Sequence, residues 1–319
     1  MLYEVYTQLV QKFPANCGYL YGRALAPNGN LWLSVDEHAR PYLLFQAGPD
    51  KQSSDIELRS VAVEFSRQCE IALDEANTSA GCYTIIRLDN GDPDVIRTFL
   101  RLLEEAFYET ERRYANKEIG EKILELADMF SKISDSIGDV IGLWGELYVI
   151  ESATNVAAAV KCWCRHKNAK YDFVSERFAL EVKSTLAAKR KHRFSMEQLR
   201  PGSDFDVYVA SLNLIDSHSG RTVSVLLDTL CQQIPDRELR NVFVTQCIAK
   251  GGSDIYRSNL RLGVLPNQKS LSLYRASDIP VPQVMPTDPI DNVRFDVDLS
   301  SVSPLDVSQQ ALLLSFDRP

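Results

Sequence analysis

Apolar and β-branched runs broken by short polar stretches dominate the first third of the chain and predict a β-rich segment. Leu31-Trp32-Leu33-Ser34-Val35 and Tyr42-Leu43-Leu44-Phe45 read as strands separated by Pro41. Residues 60–71 and 82–87 add β-branched and aromatic runs, and Asn90-Gly91-Asp92-Pro93 marks a turn. From Asp94 to Tyr114 the apolar positions Ile96, Phe99, Leu100, Leu103 and Phe107 take helical spacing, with Asp92 and Pro93 as cap and first turn. Residues 122–130 predict a second helix and 136–153 a third, with residues 134–136 as capping candidates. Strands are expected at 158–165, 170–175 and 178–184, a short helix at 195–199, and a strand at 206–214. A helix at 222–234 and a strand at 241–248 follow. Beyond Gly251 the chain is Pro-rich and irregular, with strand-like pieces at 270–274 and 293–299 and a closing helix at 305–314. The pattern divides the chain into a β-rich accessory domain with a helical connection (1–115), a core (116–250) and an extension packing on that core (251–319).

Two neighbouring strand candidates carry the chemistry. A tight hairpin centred on Glu176-Arg177 places Asp172 directly opposite Glu181. Glu181 and Lys183 are two positions apart and share a strand face, whereas Leu180 and Val182 take the other. Like charges facing each other across a ladder are destabilising. A divalent cation between Asp172 and Glu181 removes that repulsion, and Lys183 then stands beside its water, the layout of a metal-dependent phosphodiesterase.

Charge distribution sharpens this reading. The net charge of -8 alone argues against a nucleic-acid binder, yet residues 161–200 hold eleven Lys or Arg and four acids, locally +7. Lys189, Arg190, Lys191 and Arg193 form the densest part, read either as a phosphate-binding loop or as a solvated basic loop. No apolar run approaches the ~20 residues that span a bilayer, and no signal peptide precedes Met1-Leu2-Tyr3-Glu4. Seven scattered cysteines fit reduced thiols in a cytoplasm better than a disulfide framework.

The order helix, three strands, helix, strand, with Glu146 on the leading helix, Asp172 on the second strand and Glu181 and Lys183 on the third, resembles the PD-(D/E)XK nuclease superfamily. Gly142-Leu143-Trp144-Gly145-Glu146-Leu147, Tyr171-Asp172-Phe173 and Leu180-Glu181-Val182-Lys183-Ser184-Thr185 are similar to a bacterial branch that accompanies restriction or phage-defence genes. The resemblance covers residues 138–230, and Tyr171 stands where the motif has proline. It implies an α/β fold: a restriction-endonuclease-like core, a mixed sheet flanked by helices in the order α-β-β-β-α-β, behind a β-rich N-terminal accessory domain. It implies Mg2+, with Mn2+ substituting, held by Asp172, Glu181 and the Val182 carbonyl, and Glu146 reaching the metal directly or through water. Lys183 would act on the attacking water and on the phosphate. DNA is the expected partner, in a homodimer or with an ATPase or methyltransferase of a defence operon, and with no membrane.

Glu146 shares one side of its helix with Gly142, Ala153 and Asp139, which would let the helix approach the sheet closely. Gln198, on the helix after the catalytic strand, sits where related nucleases carry a polar helper. Ser184 and Thr185 either bond a phosphate oxygen or end the strand. Cys162-x-Cys164-x-His166 alternates onto one strand face, but no second cluster completes a zinc set, so buried thiols are the simpler reading. His192 is read as a phosphate contact or an exposed loop histidine. Cleavage of RNA or branched DNA is an alternative activity. A non-cleaving DNA-binding or assembly subunit is another, although such a copy has no reason to keep an acid pair that repels without metal.

Overall fold

The computed structural model describes residues 2–14, 18–47, 54–58, 60–74, 76–133, 139–164, 169–187, 189–200, 206–264, 270–283 and 292–316. The chain divides into two compact units, residues 1–137 with 252–257, and residues 138–251 with 258–319.

The first unit contains α1 (Leu2–Gln11), β1 (Leu20–Ala24), β2 (Leu31–Val35), β3 (Pro41–Gln46), β4 (Ile56–Glu57), β5 (Val61–Ala72), β6 (Thr78–Leu88), α2 (Pro93–Ala106) and α3 (Asn116–Ile133). Its described strands run in the order β1-β2-β3-β6-β5-β4, and the far end of β5 also pairs with β1. The predicted helix start is as read: Asp92 caps the amides of Asp94 and Val95, with Pro93 in the first turn. The boundary of this unit lies after α3 rather than at 115, for a visible reason. Strand β5 bulges between Glu64 and Arg67, with Ser66 at a φ of 53°. Asn116, the first residue of α3, donates to Ser66 Oγ and accepts from Thr84 Oγ1, so the helix is pinned to the bulge.

The second unit contains α4 (Val140–Ser152), α5 (Val156–Cys162), β7 (Phe173–Val174), β8 (Phe178–Thr185), β9 (Lys191–Ser195), α6 (Met196–Leu199), β10 (Asp206–Arg221), α7 (Val223–Gln233) and α8 (Arg237–Gly251). The one-turn helix α9 (Asp254–Arg257) belongs to the first unit, after which β11 (Leu262–Val264), β12 (Leu271–Arg275), β13 (Arg294–Asp298) and α10 (Val307–Leu313) complete the second.

The main sheet is mixed. β8 pairs antiparallel with β7 and parallel with β10, and β10 pairs antiparallel with β12 and, further along, with β11. β9 and β13 form a separate antiparallel pair. Alternation along β8 separates two environments. The Leu180, Val182 and Ser184 side faces α4, where a methyl added to Gly145 would strike Ser184 Oγ and meet Val182 Cγ1 at 3.5 Å. Ala179 packs instead with Phe194, Leu199, Val207, Val209, Tyr274 and Val297, the core beneath β9, α6 and β13.

Three expectations are corrected. The described part of 158–165, residues 158–164, is not a strand: Asn155 caps Ala158 N–H and opens α5, and among the described residues an antiparallel bridge between Trp163 and Phe173 is what remains of the pairing. Residues 241–248 are not a strand but part of α8, whose buried Phe243, Val244, Cys247, Ile248 and Gly251 recur at helical spacing. The basic segment is not simply a loop, because Lys191 to Ser195 form β9. The order through this stretch is therefore α4, α5, β7, β8, β9, α6, β10, and the expected α-β-β-β-α-β membership does not hold as written. Residues 134–136, expected to cap α4, lie outside the described residues; Asp139 caps it, accepting from Gly142 N–H.

Candidate active site

The hairpin register is the expected one. Phe173 pairs with Leu180 and Val174 with Ala179, a register that brings Asp172 opposite Glu181. Asp172 itself lies just before β7, where its backbone carbonyl accepts from Cys164 N–H at 2.8 Å and its Oδ2 accepts from Val182 N–H at 2.8 Å. The N–H and C=O of one strand residue leave on the same edge, so the Val182 carbonyl also lies on the edge beside Asp172.

Glu181 and Lys183 occupy one face of β8 as expected. Lys183 Nζ is 2.7 Å from Glu181 Oε1, and Gln198 Nε2 donates to the same oxygen at 2.7 Å. Gln198 is fixed in turn by the capping box of α6, where its Oε1 accepts from Ser195 N–H. The structure thus places Gln198 against Glu181, where it holds the carboxylate. Lys183 Nζ also lies 5.7 Å from the centre of the Phe194 ring.

Glu146 comes from the other side of the sheet, on α4. It is buried, and its Oε2 accepts from Trp163 Nε1 at 2.5 Å and from Lys250 Nζ at 2.6 Å. Lys250 Nζ is also 3.8 Å from Asp172 Oδ1. Asp172 is therefore the hinge of the arrangement, neighbour to Glu181 on one side and to Glu146 on the other. The glycine that permits close approach to the sheet is Gly145 rather than Gly142: the atoms nearest a methyl on Gly142 belong to the capping carboxylate of Asp139.

The electrostatics follow from this crowding. Burial, and then the Asp172 carboxylate, push Glu146 up to about 8, against the opposing pull of Lys250 and Trp163. The same two causes push Glu181 up to about 7, opposed by Lys183 and Lys250. Burial pulls Lys250 down, but the Glu146 and Asp172 carboxylates outweigh it and leave the ammonium above its ordinary value.

Lys250 was not foreseen. The strand expected over 241–248 ends before it and places it just before the irregular C-terminal stretch. The helical recurrence of Phe243, Cys247 and Gly251 and of Val244 and Ile248 was the available signal. Gln246, one turn before Lys250, donates to the Cys164 carbonyl at 2.6 Å and ties α8 to the segment entering β7.

The basic residues separate into two kinds. Arg190 turns inward: its guanidinium donates to the Ser211 carbonyl at 2.6 Å, to Ser211 Oγ at 3.0 Å and to the Ser270 carbonyl at 3.2 Å. It is a structural contact, not a phosphate ligand. His192 is likewise neither an exposed loop residue nor a phosphate contact, for it is buried with Nε2 2.7 Å from Ser211 Oγ. Burial, with Lys183 and Arg190 nearby, lowers it to about 4. Lys189, Lys191 and Arg193 are exposed. They face an acidic strand: Lys191 pairs in register with Asp298 and Arg193 with Asp296, and Lys191 Nζ is 3.4 Å from Asp296 Oδ2.

The remaining candidates contribute little. Ser184 Oγ is buried against α4 with no hydrogen-bond partner among the described residues, away from the Glu181 face, and Thr185 Oγ1 accepts from Ala187 N–H at the strand end. Cys162 ends α5 and Cys164 follows the bridge, so they do not alternate on a strand, and burial raises both thiols. His166 lies outside the described residues. The described cysteines are free thiols.

The donor chemistry fits a hard divalent ion. The hydrogen bonds engage Glu146 Oε2, Asp172 Oδ2 and Glu181 Oε1, leaving a second oxygen on each carboxylate, and the Val182 carbonyl shares their edge. Among the described residues no three His, Cys, Asp or Glu side chains converge on a common point, and the Lys250 ammonium lies 2.6 Å from Glu146 and 3.8 Å from Asp172.

Against this geometry, residues 4–300 match the model of a family described as "Putative PD-(D/E)XK family member, (DUF4420)". The chain belongs to this PD-(D/E)XK family. The match extends well beyond residues 138–230 and takes in most of both units, so the β-rich first unit is a family feature rather than an unrelated attachment. No curated protein and no solved structure matches the chain. Among the described residues no helix is long and apolar enough to cross a membrane.

Proposed function

We propose that this protein is a Mg2+-dependent endonuclease that hydrolyses phosphodiester bonds in DNA, acting within a restriction or anti-phage system. The observation that carries this reading is the hairpin register, which brings Asp172 and Glu181 to one sheet edge with Lys183 on the Glu181 face. Family membership agrees with a nuclease. Asp172, Glu181 and the Val182 carbonyl would hold Mg2+ or Mn2+. When bound, such an ion supplies positive charge at the scissile phosphate and makes water acidic enough to act near neutral pH.

The chain's own residues do the rest. Gln198 holds Glu181 in one orientation, and Val182 N–H does the same for Asp172. Lys183 is close enough to Glu181 to sit beside the attacked phosphate, where a fixed ammonium stabilises the charge that develops on the phosphorane. Lys189, Lys191 and Arg193 would track the DNA backbone, with Asp296 and Asp298 offsetting part of their field.

A second reading has a specific observation in its favour. The acid pair does not stand unneutralised, because Lys183 and Lys250 already lie against the carboxylates. A non-cleaving DNA-binding or assembly subunit could therefore keep these acids without a metal. The experiment that separates the readings is cleavage of duplex DNA, single-stranded DNA, branched DNA and RNA in Mg2+, Mn2+ or EDTA, with Asp172→Asn as control. Divalent-dependent DNA cleavage lost in the control supports the endonuclease. Cleavage confined to RNA or branched DNA shifts the substrate, and binding without cleavage under every condition favours the subunit.

A further inference from the structure

We propose that Lys250 is a resident cation of the active site, occupying the position between Glu146 and Asp172 that a second divalent ion would take. Glu146 is then the counter-ion of Lys250 rather than a metal ligand, and the site holds one exchangeable divalent ion at Asp172, Glu181 and the Val182 carbonyl. This inference rests on the divalent-dependent nuclease reading and specifies how many ions that site takes.

Three features of the structure argue for it. First, Lys250 Nζ lies 2.6 Å from Glu146 Oε2 and 3.8 Å from Asp172 Oδ1, so it bridges two carboxylates as a shared ion would. Second, the position is built rather than incidental. The lysine side chain is only 11% exposed, its ammonium lies 5.2 Å from the Trp163 ring centre, and the same indole donates its N–H to Glu146. Gln246 clamps α8 to the Cys164 carbonyl one turn earlier, which fixes the depth at which Lys250 enters. Third, Lys183 is a poor candidate for the same task. It lies against Glu181 on the opposite face of β8, is 23% exposed, and has no ion-pair contact with Glu146 or Asp172.

An ammonium fixed between two carboxylates repels a divalent ion from that point and lowers the charge that a second ion would need to balance. In its ionised form, the carboxylate that α4 buries therefore has a cation supplied by the same polypeptide. A buried carboxylate deprived of its partner is costly, so the pair stays closed unless a stronger cation displaces it.

The test is calorimetric Mn2+ titration of the full chain, with melting in EDTA as a folding check. The wild type should take one Mn2+ per chain, and Lys250→Met should bind Mn2+ at least about 10-fold more tightly, or take a second equivalent, because Glu146 and Asp172 then lack their cation. Methionine keeps the length and the contact with Trp163 while deleting the charge. Glu146→Gln/Lys250→Met removes both charges, leaves no unpaired buried ion, and should return to wild-type affinity. If Lys250→Met does not fold in EDTA, this double variant carries the test. A double variant binding 10-fold more weakly than wild type would make Glu146 a direct ligand and overturn the proposal. Wild-type affinity in a folded Lys250→Met would overturn it as well, while leaving the nuclease reading intact. Absence of Mn2+ binding in every variant would remove the divalent reading itself, and the inference with it.

Discussion

Gly145 of α4 and Ser184 of β8 meet so closely that a single methyl on the glycine would overlap the serine hydroxyl. This contact sets the depth at which α4 lies on the sheet, and the next residue on the helix is Glu146. Gly145→Ala should therefore destabilise the second unit by about 1–3 kcal/mol, the usual cost of forcing extra volume into a packed core. Adding Ser184→Ala removes the hydroxyl that the methyl strikes and should recover most of the loss. Urea unfolding of the single and double variants measures both effects; a neutral Gly145→Ala would mean the helix can lift off the sheet freely.

The metal-free protein should lose stability as pH rises. Burial, and then the Asp172 carboxylate, push Glu181 up to about 7 and Glu146 up to about 8, both above their ordinary value of 4.5. The folded state therefore retains protons that the unfolded state has released. Stability from these two groups is fully present below the ordinary carboxylate range and is lost as pH rises through 7 and 8. His192, lowered to about 4 from 6.5, works the other way, but its contribution changes only between those values. Unfolding in EDTA between pH 6.5 and 8.5 isolates the carboxylates. The free energy should fall across that interval with a slope of at most about 1.4 kcal/mol per pH unit for each group. Glu146→Gln should flatten the upper part, and a stability that rises with pH would contradict the protonation scheme.

Arg190 and its neighbours should separate under mutation. Arg190→Gln removes the guanidinium donors to the Ser211 carbonyl, Ser211 Oγ and the Ser270 carbonyl, the last of which keeps its bond from Asn213 N–H, and should destabilise the fold by about 1–3 kcal/mol. Lys191→Gln and Arg193→Gln should leave stability nearly unchanged, because an exposed ion pair such as Lys191–Asp296 contributes about 0–1 kcal/mol. If these two lysine and arginine side chains touch DNA, each substitution should lower the salt slope of binding by roughly 0.9. Fluorescence anisotropy at several salt concentrations, beside thermal melts, distinguishes the two classes of residue.

Much of the site was legible because strand periodicity is strict. A period of two places Glu181 and Lys183 together, and a tight turn leaves one register for Asp172, so three residues follow from spacing alone. The helix carrying Glu146 was legible from its apolar content. What failed were segments where composition and period disagree. Val242, Phe243 and Val244 look like strand residues, yet their tertiary partners recur every three to four positions and α8 is a helix. Three alanines after Asn155 favour a helix, but the following Cys-Trp-Cys suggested a strand. In β9 the charges of Lys191 and Arg193 hid an alternation in which His192 and Phe194 are buried. Lys250 was lost with α8, because a residue at the end of a helix can be assigned to a site only once that helix is recognised.

In the proposed nuclease, Lys183 acts on the reacting phosphate while Asp172 and Glu181 hold the ion. Single-turnover DNA cleavage at saturating Mn2+, measured beside Mn2+ affinity for wild type, Lys183→Ala and Lys183→Arg, tests this most directly. Lys183→Ala should keep or tighten Mn2+ binding, since a cation beside Glu181 has been removed. Cleavage should fall by about 100-fold or more, the effect typical of deleting a preorganised charge, and arginine should restore little of it. An alanine variant that binds Mn2+ and cuts at the wild-type rate would mean that Lys183 takes no part in the chemistry.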